Sequence, residues 1–346
     1  MRVSTAGKTK TTWQLSPGGP FSTGWGLSSG SGLSVAWQWM LGYLLLVIVF
    51  GAVVRITGSG AGCGQHWPTC QGQIAPLPRS AEMLIEFSHR LTSGLSMLLL
   101  LALTVWTWRV APAASLARRA SLLSCFFLAL EALIGARLVL LGLVGQNDSL
   151  PRAVVMALHL ANTSLLTFFV TVTWHALRKK RAAFAESRGP SAWVGVARSS
   201  SEWRWALGAG LLLLTSAAGA VTALGDTLYP VANSSFEVAR QATDHSAHFL
   251  QRVRGLHPLL AALTALFVLV VAARELGGAA IGRWTLGLVF LQVAAGLLNL
   301  LLSAPGYLQV LHLLLANLLW ICWVEGWLEV SEKENPAREV SRGVSS

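Results

Sequence analysis

Four of the eight histidines in the sequence lie near one end of a long apolar segment. An imidazole in an apolar environment loses its hydration, so it needs a partner and is a functional candidate by default. Neutral imidazole is also the commonest metal ligand among protein side chains. His257 follows His89 by 168 residues, and His312 follows His159 by 153. The sequence therefore predicts the same two-imidazole arrangement twice.

Two facing imidazoles inside a bundle of apolar helices are suited to axial ligation of a haem iron. We predict His89 and His159 as one ligand pair and His257 and His312 as the other. Two alternatives stay open. One such histidine can instead form a hydrogen bond between helices. A zinc or copper site would need carboxylate or thiolate co-ligands, which are sparse at this depth.

A carboxylate and three arginines accompany these histidines. Glu86 precedes His89 by three residues, on the same helix face, and precedes Arg90 by four. It is interpreted either as the ion-pair partner of Arg90 or as a group that takes or donates a proton above a haem. Arg254 occupies the matching position 168 residues later, so we expect chemistry in the first half and electron transfer in the second. Arg90, Arg252 and Arg254 are candidates for pairing with haem propionates.

Other polar residues are harder to assign. Glu131 and Arg137 lie within the third apolar segment, where they could form an ion pair or contact a cofactor. The remaining four histidines are interpreted as ordinary surface residues: His66, His175, His245 and His248.

Two of the four cysteines stand in a short polar segment after the first apolar block. Cys63 and Cys70 face an oxidising compartment in this interpretation, which favours a disulfide. Two free thiols are the alternative, and a metal site is less favoured because no second cysteine pair accompanies them. Cys125 and Cys322 lie inside apolar blocks and are interpreted as packing residues.

The composition indicates a membrane protein. Hydrophobic residues make up 53% of the chain, charged residues 12%, and the mean hydropathy is +0.57. The apolar residues form blocks of about 20, the length that crosses a hydrocarbon core, and backbone groups in lipid require helices. We predict an all-α integral membrane protein with eight transmembrane helices. The predicted spans are 37–57, 87–107, 121–143, 154–176, 205–224, 255–273, 284–303 and 309–328.

The net charge of +11 is a topology signal rather than a nucleic-acid patch. Lysine and arginine concentrate in alternate loops, which predicts a cell-membrane protein with both termini cytoplasmic. Many of the 15 tryptophans stand near span ends, Trp37 and Trp205 among them, and are interpreted as interfacial anchors.

The two halves of the sequence resemble each other. Gly51-Ala52-Val53 recurs as Gly219-Ala220-Val221, and the segment 131–135 aligns with 292–296. Four spans in each half place the halves in the same orientation, related by a pseudo-twofold axis along the membrane normal. The predicted parts are a disordered cytoplasmic tail (1–36), a substrate-haem bundle (37–177), a basic linker (178–204), a cofactor-haem bundle (205–328) and a cytoplasmic tail (329–346).

Several motifs resemble those of haem A synthases, over roughly residues 38–328. The segment 58–72 (GSGAGCGQHWPTCQG) resembles their first external loop. The segments 86–90 (EFSHR), 226–230 (DTLYP) and 252–258 (RVRGLHP) are similar to further family motifs.

This resemblance implies oxidation of the C8 methyl of haem O to a formyl group through a hydroxymethyl stage, for haem-copper terminal oxidases. It implies that His89 and His159 hold the substrate, that His257 and His312 hold a haem b cofactor, and that Glu86 is the functional carboxylate. It also implies a Cys63–Cys70 disulfide. The expected partners are haem O, the bilayer, an electron acceptor, haem O synthase and oxidase assembly proteins, with a homo-oligomer left open.

One departure from the family concerns Glu131, which stands where the family pattern and Gln292 of the second half lead us to expect glutamine. The competing functions are a non-catalytic carrier with two haem b groups, a transporter suggested by the repeat, and a structural assembly factor. The last gives no reason for four matched histidines.

Overall fold

The structure is a computed structural model that describes residues 29–178, 201–230, 240–241 and 244–333. Its described residues form eight helices that are long and apolar enough to cross a membrane, which confirms the predicted all-α, eight-span class. The helices are α1 (Ser29–Ile56), α2 (Ala81–Val110), α3 (Leu116–Leu140), α4 (Leu150–Arg178), α5 (Glu202–Leu228), α6 (Leu256–Glu275), α7 (Ala280–Leu301) and α8 (Gly306–Lys333). Two short helical turns, Phe249–Arg252 and Val253–Gly255, lead directly into α6.

Several helices are longer than the apolar blocks. The first begins at Ser29, so residues 29–36 are helical rather than part of a disordered tail. The last continues to Lys333, beyond the predicted boundary at 328. Hydropathy marks only the segment suited to hydrocarbon, whereas helical hydrogen bonds continue into polar surroundings. The predictions for residues 1–28, 179–200 and 334–346 lie outside the described residues.

The same pattern of helix neighbours occurs in both halves. In the first half (α1–α4), α1 packs on α2 and α4, and α3 packs on the same two helices. In the second half (α5–α8), α5 packs on α6 and α8, and α7 packs on those two. Each half is therefore a closed ring of four helices. The predicted twofold relation between the halves stays a prediction.

The halves meet through α1 and α4 on one side and α5 and α8 on the other. Arg55 of α1 donates from Nη1 to the Ala223 carbonyl (2.8 Å) and to Oγ1 of Thr227 (2.5 Å), both on α5. In the connecting segments, the Tyr229 hydroxyl donates to Asp148, across the same interface. Polar groups thus join the two rings in addition to apolar packing.

His175, at the end of α4, is only 2% exposed, so its interpretation as a surface residue is wrong. Its Nδ1 lies 3.1 Å from Glu325 Oε2, and its Nε2 lies 2.9 Å from Glu332 Oε1. Arg178 donates to the same Glu325 oxygen at 2.5 Å. Buried charges of this kind persist where partners satisfy them, so the cluster joins α4 of one half to α8 of the other.

Two of the tryptophans interpreted as interfacial anchors are fully buried instead, so that interpretation is wrong for them. Trp37 donates its indole N–H to Thr107 Oγ1 at 2.9 Å. Trp205 donates to Glu275 Oε2 at 2.5 Å and packs on Trp323, with ring centroids 4.2 Å apart. A buried indole generally needs such an acceptor. Trp39 and Trp284, by contrast, are 76% and 68% exposed.

Candidate functional site

The four histidines lie near one end of the molecule, called here the loop face because it carries the connection 57–80. Helices α2, α4 and α8 all begin at this face, and so does the helical segment Phe249–Glu275 that contains α6. Each histidine lies within about three turns of the start of its segment. Helical packing therefore brings two imidazoles to similar depth in each half. The histidines of the pairs are His89 and His159 in the first half and His257 and His312 in the second.

The second-half pair has the separation expected for two ligands of one metal. The ring centroids of His257 and His312 are 6.3 Å apart, with the ring planes at 90°. Two imidazoles on opposite sides of one metal, with metal–nitrogen bonds of about 2 Å, have centroids about 6 Å apart. His257 Nδ1 also lies 3.2 Å from the Thr215 carbonyl, a contact that orients its ring.

In the first half, Phe50 packs edge-on against His89, with ring centroids 5.6 Å apart. Nδ1 of His89, of His159 and of His312 is buried and has no hydrogen-bond partner among the described residues. Buried polar atoms in native proteins are nearly always satisfied. Nδ1 of His89 and Nδ1 of His312 therefore mark places where a further group fits, whereas Nδ1 of His159 lies 3.5 Å from Glu131 Oε1.

Each imidazole packs against a glycine of the preceding long helix. A Cβ at Gly219 would lie 3.0 Å from Cε1 of His257, and one at Gly51 would lie 3.3 Å from the same atom of His89. The sequence repeat relates these glycines at offsets of 168 and 161 residues, but sequence reasoning did not connect them with the histidines. The four pairs are His89–Gly51, His159–Gly135, His257–Gly219 and His312–Gly296.

Glu86 links the long loop to α2. It is 3% exposed, and its Oε2 accepts the backbone N–H of Cys63 at 2.7 Å. Its Oε1 pairs with Arg90, as one interpretation of the sequence predicted. Arg90 also donates to the carbonyls of His66 (2.7 Å) and Thr69 (2.6 Å). The Glu86–Arg90 pair therefore holds the loop over the end of α2 that carries His89.

Cys63 and Cys70 form a disulfide, which confirms that prediction. Both cysteines are fully buried and pack on Met83 of α2. The loop backbone approaches α2 closely: a Cβ at Gly62 would lie 2.5 Å from the backbone carbon of Glu82. Only glycine fits such an approach, so the loop is pressed onto the helix beside the candidate site.

Arg254, at the position matching Glu86, is 2% exposed. Its Nη2 donates to the carbonyls of Gly225 and Tyr229, each at 2.6 Å, and its Nε lies 3.1 Å from Asp226 Oδ1. Arg252 is exposed. Arg90 thus holds loop carbonyls, whereas Arg254 holds the last turn of α5 and the residue that follows it. Propionate binding by Arg90, Arg252 and Arg254 stays a prediction.

The arrangement of donors fits haem better than a bare metal ion. Within the described residues, no group of three or more His, Cys, Asp or Glu side chains could hold a metal ion. A closed zinc site generally uses four such ligands and a catalytic site three. Two imidazoles inside a ring of four apolar helices instead match the axial ligands of a haem.

Comparison with known proteins places the chain in a family. The family described as cytochrome oxidase assembly protein matches residues 36–324. A protein named protoheme IX farnesyltransferase from Thermus thermophilus is 43% identical over 306 residues, which are 86% of this chain and 48% of that relative.

Two proteins named heme A synthase are similar over shorter segments. The protein of Lysinibacillus sphaericus is 43% identical over 125 residues, and that of Shouchella clausii is 40% identical over 122. These matches cover 36% and 35% of this chain and 38% of each relative. The chain thus spans about half the length of the Thermus relative and less of the other two. The predicted resemblance to haem A synthases is confirmed, and the chain belongs to the cytochrome oxidase assembly protein family.

Proposed function

We propose that this protein is a haem A synthase, an oxidoreductase that converts the C8 methyl of haem O to a formyl group through a hydroxymethyl stage. The observation that carries the proposal is the duplicated pair of imidazoles, each backed by a glycine, with the buried Glu86 three residues before His89 and Arg254 at the matching position of the second half. The family and the relatives named heme A synthase support the same reaction.

The two halves have different tasks in this proposal. His89 and His159 bind the substrate haem O, and His257 and His312 bind a resident haem b. Glu86 lies one helical turn from His89, whereas the matching Arg254 is engaged with the carbonyls of Gly225 and Tyr229 and with Asp226. The position three residues before the first histidine therefore carries a group able to exchange a proton in the first half and a cation in the second half.

The haem groups supply the oxidising chemistry at the methyl carbon. The protein residues position the substrate and move protons. Glu86 takes or delivers a proton at its carboxylate oxygens, and Arg90 holds that carboxylate in place. The disulfide-bonded loop covers this end of the first bundle and limits access of water.

The proposed setting is the cell membrane, with both termini cytoplasmic and the loop face on the opposite side. The relative named protoheme IX farnesyltransferase contains a segment 43% identical to this chain. That similarity supports a place beside the reaction that farnesylates haem, whose product is the lipophilic substrate proposed here. Haem O synthase and oxidase assembly proteins are the partners proposed, together with an electron acceptor.

The test is chromatographic identification of extracted haems from cells that make haem O but not haem A. Expression of the wild-type chain should produce haem A or its hydroxymethyl precursor. Glu86→Ala should abolish that product while haem b stays bound. His245→Ala, which changes an exposed histidine outside both pairs, is the matched control and should behave as wild type.

Two results would contradict the proposal. Haem b alone in the wild-type sample, identical to that in Glu86→Ala, would favour the carrier with two haem b groups. Normal product in Glu86→Ala would remove the proposed role of that carboxylate.

A further inference from the structure

Glu131 of α3 is held by two donors of α4. Asn162 donates from Nδ2 to Glu131 Oε2 at 2.5 Å, and the Thr163 hydroxyl donates to Oε1. The same Oε1 lies 3.5 Å from Nδ1 of His159. Glu131 thus makes its contacts with α4 rather than with Arg137, which is exposed. Both carboxylate oxygens are fixed beside the histidine.

The second half lacks this arrangement. Gln292 takes the place of Glu131, and its Nε2 lies 3.2 Å from Nε2 of His312. The positions matching Asn162 and Thr163 are Leu315 and Ala316, which cannot donate side-chain hydrogen bonds. The carboxylate and both of its side-chain donors therefore occur together in one half and are all replaced in the other. Because the carboxylate and its two donors are present or replaced together, we interpret them as one functional unit.

We infer that Glu131 is a positioning residue for the imidazole of His159, accepting its Nδ1–H and thereby setting the donor strength of that ligand. The inference rests on the proposed function, because it takes His159 as a haem ligand. Nδ1 of His159 has no hydrogen-bond partner among the described residues, and Glu131 Oε1 lies beside it. A small rotation of the ring brings the two atoms to an ordinary hydrogen-bond distance.

A carboxylate partner changes the ligand it orients. Hydrogen bonding from a metal-bound histidine to a carboxylate fixes the tautomer, so that Nε2 faces the metal, and makes the imidazole a stronger donor. A stronger donor stabilises the oxidised iron and lowers its midpoint potential. Gln292 supplies no negative charge and contacts Nε2 of His312 rather than Nδ1, so His312 has no carboxylate partner at Nδ1 and is the weaker donor. The first site is thereby adjusted for oxidation chemistry and the second for electron transfer.

The experiment measures midpoint potentials of bound haem in the full chain by spectroelectrochemical titration. A His257→Ala background isolates the first-half haem, and a His89→Ala background isolates the second-half haem. Glu131→Gln should shift the midpoint potential of the first-half haem to more positive values. Glu131→Asp keeps the carboxylate, so its potential should stay close to that of the wild type.

Asn162→Leu combined with Thr163→Ala copies the second half while it keeps the carboxylate. It should give a smaller positive shift, because Glu131 loses the donors that hold it. If Glu131→Gln does not fold, the Asn162→Leu/Thr163→Ala variant decides: a positive shift supports the inference, and an unchanged potential overturns it. Unchanged potentials in Glu131→Gln also overturn it, although the proposed function would stand. Failure of the proposed function is a different result: the first half binds no haem even with Glu131 intact.

Discussion

Equivalent positions of the two halves carry opposite charges, yet both side chains hold nearby backbone groups. Glu86 accepts a backbone N–H from Cys63, and Arg254 donates to the carbonyls of Gly225 and Tyr229. In both halves a buried charged side chain near the start of the second helix holds backbone at the end of the first helix or beyond it. Both halves thus keep a hydrogen-bonded link between the second helix and neighbouring backbone, although the charge of the side chain differs.

The difference shows how one architecture can serve two purposes. Arg254 is a cation whose hydrogen bonds end on backbone carbonyls and on Asp226. Glu86 is an anion that can also bind a proton, and a disulfide stabilises the loop that it holds. We therefore expect substitution of Arg254 to lower mainly the stability of the fold, and substitution of Glu86 to lower mainly the catalytic activity.

The largest expected effect comes from removing one histidine of each pair. His257→Ala should remove the resident haem b, because one imidazole cannot replace two axial ligands. His89→Ala should keep that haem but lose conversion of haem O. The measurement is the haem content of purified protein together with the haem products of the cells. Loss of the same haem in both variants would contradict the division between the halves.

Arg254→Ala should destabilise the fold more than Glu86→Gln. The first change leaves Asp226 without its buried partner, which costs about 3 kcal/mol. The second keeps the shape of the side chain and an acceptor for the Cys63 N–H, so about 1 kcal/mol is expected. Thermal unfolding in detergent, followed by circular dichroism, measures both. Equal losses would show that the two charges hold their loops with similar strength.

Substitution of the glycines by alanine should have a larger effect where the imidazole is tightly packed than where it is loosely packed. A Cβ at Gly219 would lie 3.0 Å from His257, whereas one at Gly135 would lie 3.9 Å from His159, an ordinary contact. Gly219→Ala should weaken haem retention by about tenfold, the size of a lost outer-shell partner. Gly135→Ala is the matched control and should change little. Haem transfer to an excess of apomyoglobin measures retention in each variant.

The smallest effect concerns pH and the contact between the halves. A hydrogen bond from Tyr229, together with nearby His248, lowers the pKa of Asp148 below its usual 3.8. A lowered carboxyl pKa contributes stability above 3.8, and this contribution is lost as the pH falls through the lowered value. Tyr229→Phe should reduce this dependence. Unfolding temperatures between pH 6 and pH 3 test it, and identical profiles for both proteins would exclude the contribution.

The sequence alone was sufficient for the helices, the histidine positions and the disulfide. Hydropathy over about 20 residues is a local property, so eight spans could be predicted without knowing how they pack. The offsets that relate His89 to His257 and His159 to His312 are properties of the linear chain. The position of Cys63 and Cys70 in a polar segment facing an oxidising compartment likewise favoured the disulfide that the structure contains.

Tertiary structure decided which side chains are buried and which residues they contact. His175 contacts Glu325, 150 residues away in the sequence, and Trp37 contacts Thr107, 70 residues away. The residues adjacent to His175 and Trp37 in the sequence therefore did not indicate that these side chains are buried. The glycine behind each imidazole and the donors around Glu131 also come from neighbouring helices. Helical periodicity defines the faces of each helix, but the packing of eight helices determines which faces meet, and that choice depends on the whole chain.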